Sequence, residues 1–113
     1  MSTISTSSPA IGTQTASEAL ENFQLVAEEA ATLVSAIVTN TGAADAWLLV
    51  LDKAAAPADN DVPLQAFRIP AGGTGALDTP MRGETGLVLA LSVTPHEYTA
   101  LVGDVGWFLS RYV

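Results

Sequence analysis

The clearest pattern along the chain is short runs of alternating or wholly apolar residues, each closed by a turn signal. Leu33 to Thr39 is apolar and β-branched and ends at Asn40-Thr41-Gly42. Ala46 to Lys53 follows, with Trp47, Leu49 and Leu51 on one face and Leu48 and Val50 on the other. Both faces are apolar, which predicts a strand inside a sheet and covered on both sides. Residues 54–61 read as a loop broken by Pro57 and Asp59-Asn60-Asp61. Val62 to Ile69 is the next expected strand, demoted at its start by Pro63. Pro70-Ala71-Gly72-Gly73 is a turn, Gly73 to Leu77 a short strand, and 81–86 a loop. Leu87 to Thr94 alternates well, with Leu87, Leu89, Leu91 and Val93 opposite Val88, Ala90, Ser92 and Thr94. After a loop at 95–104, with a brief strand expected at Tyr98 to Val102, Val105 to Val113 closes the chain. Trp107, Leu109 and Arg111 face one way there, and Phe108, Ser110 and Tyr112 the other.

The first thirty residues are less regular. Residues 1–17 are rich in Ser and Thr and carry no charged side chain, which predicts an extended arm through residue 20. Ile4 and Ile11 are its candidate anchors. Residues 18–31 fit two patterns. Leu20, Phe23, Val26 or Ala27, and Ala30 sit at helical spacing behind a capping Ser17, while Phe23, Leu25 and Ala27 alternate with Asn22, Gln24, Val26 and Glu28. We take the second, a strand near 22–28 preceded by at most one helical turn.

Seven or eight short strands at regular spacing, with no alternation of strands and helices, predict an all-β fold. An antiparallel β-sandwich or a jelly-roll-like barrel fits residues 21–113, behind an arm at 1–20.

Composition narrows the function. The chain has 113 residues, enough for one domain, and is 49% hydrophobic but only 14% charged. Its net charge is −8, and four basic residues cannot build a phosphate-binding stripe or hold an anionic membrane. With no cysteine, disulfides and thiol chemistry are excluded. No apolar run approaches the roughly 20 residues of a membrane-spanning helix.

Candidate chemistry is sparse. The single histidine, His96, has no recognisable catalytic setting such as a G-x-S-x-G elbow, and a metal site built on it would lack further His or Cys ligands. Asp59-Asn60-Asp61 lacks the spacing of a calcium loop and reads as a solvated turn. Ala71 to Gly75 is Gly-rich but is neither a dinucleotide fingerprint nor a P-loop. Trp47 and Trp107 are expected to pack against the facing sheet rather than form a ligand platform. We therefore expect no enzyme activity, no cofactor and no metal.

Four motifs carry a resemblance. They are Asn40-Thr41-Gly42-Ala43, Asp52-Lys53-Ala54-Ala55-Ala56-Pro57, Ile69-Pro70-Ala71-Gly72-Gly73 and Gly86-Leu87-Val88-Leu89-Ala90-Leu91. Over residues 32–113 the chain resembles a family of small virion-associated proteins of tailed bacteriophages and prophages. The resemblance implies a β-sandwich in a phage particle and assigns no catalytic residues. The expected role is a capsid decoration or cement protein that binds the major capsid protein on the virion surface, as a homo-oligomer such as a trimer. A tail, neck or fibre-attachment component and a receptor- or carbohydrate-binding module are the alternatives. Ile4, Ile11, Leu20 and Phe23 are the candidate partner contacts.

Overall fold

A computed structural model of the chain describes residues 12–113 and, as backbone alone, the strand residues 3–8. Among the described residues there is no helix; the protein is two antiparallel sheets packed face to face. The strands are β1 (Thr3–Ser8), β2 (Gly12–Ser17), β3 (Phe23–Ala27), β4 (Ala31–Asn40), β5 (Ala46–Leu51), β6 (Gln65–Ile69), β7 (Thr74–Leu77), β8 (Met81–Gly83), β9 (Leu87–Ser92) and β10 (Gly106–Tyr112). The first sheet runs β1-β2-β10-β4-β7, with β8 also on β4; the second runs β3-β9-β5-β6. Among the described residues each sheet keeps two free edges, so the architecture is a sandwich rather than a closed barrel.

β4 is the longest strand and organises the first sheet. Its upper half pairs with β7 and its lower half with β8, through the registers Ala36↔Leu77 and Leu33↔Met81. Asp78-Thr79-Pro80 separates these two partners, because a proline cannot donate to the ladder. The reading of 81–86 as loop is corrected at Met81–Gly83, where three residues are too few to show a period of two.

Alternation decides which side chains enter the interior. Leu33 and Val38 from β4, Phe108 from β10, Leu48 and Val50 from β5, and Leu87, Leu89 and Leu91 from β9 fill the space between the sheets, all essentially buried. Burial of each contributes about 1.5–3 kcal/mol. The other face of the second sheet carries its own cluster of Leu49, Leu51, Val88, Ala90 and Tyr98, packed by Phe23, Leu25, Trp47 and Ala66. The double covering expected of Ala46 to Leu51 is present, and β9 shares it.

Two long loops supply that outer cover. Tyr98, from the 93–105 loop, donates its N–H to the Asp61 carbonyl at 2.8 Å and accepts from the Asn60 N–H at 3.0 Å. Asn60 takes a left-handed conformation there, with φ 71°. The expected strand at Tyr98–Val102 reduces to one bridge, Ser92↔Ala100.

The expected arm also differs. Residues 12–17 form β2, paired to β10 from Leu109↔Ala16 to Tyr112↔Thr13, with Thr15 and Ser17 buried. β1 extends the same sheet, with Thr3↔Ser17 through Ser8↔Gly12 in register. The segment joins the sheet because the β10 edge has unpaired backbone groups that β2 satisfies.

Candidate functional site

The segments 18–22 and 98–105 meet at the end of the sandwich where β2 stops and β3 and β10 begin. Glu21 pairs its backbone with Gly106 in both directions at 2.8 Å. Asn22 ties the second segment down: Oδ1 accepts the Val105 N–H at 3.0 Å and Nδ2 donates to the Gly103 carbonyl. Between them lies a groove of about 500 Å³, lined by Ala19, Leu20, Glu21, Asn22, Phe23, Tyr98, Ala100, Leu101 and Asp104.

The groove joins apolar and acidic surface. Leu20 is about half exposed, and Phe23 and Leu101 are half-buried. Glu21 is buried; its Oε2 accepts the Ser17 hydroxyl, and Oε1 has no hydrogen-bond partner among the described residues. Burial raises the Glu21 pKa from its ordinary value, and the nearby Asp104 charge adds to the rise against the Ser17 hydrogen bond. Behind Glu21 a polar seam runs into the sandwich. The Phe108 N–H donates to Ser17 Oγ at 3.1 Å, the Ser110 hydroxyl to Gln24 Oε1 at 2.8 Å, and Gln24 Nε2 to the Phe108 carbonyl at 3.4 Å.

Of the four candidate contacts, Leu20 and Phe23 are brought together in this groove. Ile4 sits in β1 in register with Ala16, away from it in the sheet order, and Ile11 lies outside the described residues. Tyr98, Leu101 and Asp104 were not candidates, because long-range contacts of Glu21 with Gly106 and of Asn22 with Gly103 and Val105 carry their loop to Leu20.

A second surface is the outer face of the first sheet. Register aligns Ala16, Leu109, Ile37 and Ala76 in one row, with Trp107 beside Thr39 in the next. Ile37 is exposed, Trp107 and Leu109 are half-buried, and Thr39 and Thr74 share a 2.9 Å hydrogen bond. This corrects the expectation for both tryptophans. Trp107 alternates with buried Phe108 and so faces outward; Trp47 alternates with Leu48 and packs in the outer cluster of the second sheet, not between the sheets. A smaller cleft of about 370 Å³ opens between β6 and β7, over Leu48, Phe67, Ile69 and Leu77.

His96 is exposed in the 93–105 loop. Among the described residues no group of three or more His, Asp or Glu side chains is placed to hold a metal. Asp61 is committed to its own turn: it accepts from Lys53 at 2.7 Å and from the Ala58 N–H at 2.8 Å, and these contacts, Lys53 first, lower its pKa.

The motif residues lock turns. Asn40 is fully buried; its Oδ1 accepts the Gly42 N–H at 2.9 Å, and Nδ2 donates to the carbonyls of Ala44 at 2.9 Å and Ile69 at 3.2 Å. Asp52 accepts the Thr85 N–H at 2.8 Å and the Gly86 N–H at 3.3 Å. No family model, curated protein or solved structure matches the chain.

Proposed function

We propose that this chain is a structural protein of a tailed-phage particle, acting by docking on neighbouring protein subunits rather than by catalysis. The most direct form of the reading is a decoration protein on the capsid exterior that bridges and stabilises major capsid subunits. What supports it is the coincidence of the motif resemblance with the architecture. Three of the quoted motifs fall at strand ends and the fourth runs through β9, and Asn40 and Asp52 spend their polar side chains on locking turns of a β-sandwich. Exposed apolar side chains include Leu20 at the groove and Ile37 beside half-buried Trp107, which suits contact with other protein. Repetition of such modest contacts over a symmetric lattice multiplies their effect through avidity.

The test is the copy number of this chain in purified particles, read on a stained gel against the major capsid band. A decoration protein is present on the order of hundreds of copies, whereas a tail or neck component is present in small multiples of its ring symmetry. Absence of the chain from purified particles would overturn the reading.

A further inference from the structure

The two outer faces of the sandwich are finished differently. On the second sheet Tyr98 and its loop cover Leu49, Leu51, Val88 and Ala90. On the first sheet Ile37, Thr74 and Ala76 are exposed, and Trp107 and Leu109 are half-buried. The register draws these side chains into a continuous surface. One apolar row crosses four strands from Ala16 through Leu109 and Ile37 to Ala76, and Trp107, Thr39 and Thr74 form the row beside it. Tryptophan is the residue type that most often dominates a protein–protein contact.

The charge of this face decides what fits it. The chain has twelve acids and a net charge of −8, yet no strand of the first sheet contains Asp or Glu. Its arginines are engaged, Arg82 with Glu84 and Arg111 with Gln14. An acidic partner finds no unengaged cation among the described residues of these strands, and a basic partner finds no carboxylate. The matching surface is flat, apolar and uncharged, and a second copy carries one. Two copies meet here without setting carboxylate against carboxylate, a juxtaposition that is costly at an interface. Acids beyond the contact are screened over about 8 Å at physiological salt. The size also fits. A sheet five strands wide spans about 24 Å, and strands of six or seven residues run about 20 Å, so a symmetric pair encloses roughly 1,000 Å², where specific interfaces begin.

We propose that two copies of the chain associate through the outer face of the first sheet, about a twofold axis, with Ile37 and Trp107 at the centre of the contact. The same patch serves both partners, so the pair closes and does not grow into a filament. The pairing belongs to the free chain and goes beyond its role in a particle.

Sedimentation equilibrium of the purified full chain at rising concentration tests this. A monomer of 11.6 kDa is expected to pass into a dimer with a micromolar dissociation constant, typical of a small interface. Ile37→Glu and Ala76→Glu, both at exposed positions, place like charges in the contact and should each weaken association about tenfold or more. Leu64→Glu, exposed beside β6 of the second sheet, should leave it unchanged. Circular dichroism checks the fold of each variant, and Ala76→Glu, on the edge strand β7, decides if Ile37→Glu does not fold. A chain that stays monomeric throughout leaves the face to a different protein and overturns the proposal. So does a limiting mass other than the dimer's, association that survives the substitutions on the first sheet, or equal weakening by Leu64→Glu. None of these results bears on the copy number in particles, so the two readings fail separately.

Discussion

The Ser110 hydroxyl on β10 donates to Gln24 Oε1 on β3 at 2.8 Å, a hydrogen bond that crosses the sandwich from one sheet to the other. Both residues are buried, so each depends on the other to satisfy a group cut off from water. Ser110→Ala is expected to cost about 1–3 kcal/mol, because it strands an acceptor in the core. Replacing both partners, as Gln24→Met with Ser110→Ala, removes the stranded group and should cost less than the two single changes added together. Urea unfolding of the four proteins measures this, and a strictly additive result would show that the pair is not coupled.

Removal of residues 1–20 distinguishes an accessory arm from a sheet strand. The composition of the segment predicts a dispensable tail, but β2 contributes buried Thr15 and Ser17 and covers one edge of β10. The truncated chain should therefore lose a large part of the roughly 5–15 kcal/mol that holds a domain together. Thermal melting checks this, and an unchanged midpoint would place the stability of the sandwich wholly in residues 21–113.

Gly86 and Gly72 should respond very differently to alanine. A Cβ at Gly86 would sit 2.5 Å from the Lys53 carbonyl oxygen, 2.7 Å from that of Ala27 and 2.9 Å from the Ala54 Cα, all backbone atoms that cannot swing aside. Gly86→Ala is expected to cost about 3 kcal/mol, the upper end of overpacking. At Gly72 a Cβ meets nothing within 4 Å, and only its φ of +67° opposes the change. Gly72→Ala should cost about 1 kcal/mol. Denaturant midpoints rank the two directly.

The acid–base behaviour follows from opposite shifts. Glu21 has its pKa raised by burial, so the folded state binds its proton more tightly than the unfolded chain does. Its stabilising contribution is complete below the unfolded value of about 4.3 and is lost as pH rises through the folded value. Asp45, Asp52 and Asp61 are lowered, chiefly by the Ala71 N–H, the Thr85 N–H and the Lys53 ammonium respectively. Their contributions are lost as pH falls through the folded values. Glu21→Gln, which keeps an acceptor for Ser17, should match the parent protein in acid and exceed its stability as pH rises above the carboxylate range. Melting temperatures of the two proteins across that range test the sign.

The strands that were legible in the sequence are those whose alternation reports burial. β9 and β5 show apolar residues on both faces, and both are packed on both faces. β2 was hidden because its inward residues, Thr15 and Ser17, are polar, and no hydrophobic period marks a strand whose interior contacts are hydrogen bonds. Val62 and Leu64 show the reverse error. They extend the apolar pattern of β6 but lie exposed before its first residue, Gln65. The groove was half legible: Leu20 and Phe23 stand out in a polar segment, whereas Tyr98, Leu101 and Asp104 reach them through long-range contacts, the Glu21–Gly106 pairing and the Asn22 hydrogen bonds to Gly103 and Val105.

The double covering of the second sheet restricts where this protein can change. Side chains at Leu49, Leu51, Val88 and Ala90 are enclosed as firmly as those between the sheets, so β5 and β9 reach solvent only at half-buried Trp47. Substitutions that alter the surface without refilling the core are open instead at positions such as Ile37, Thr39 and Leu20.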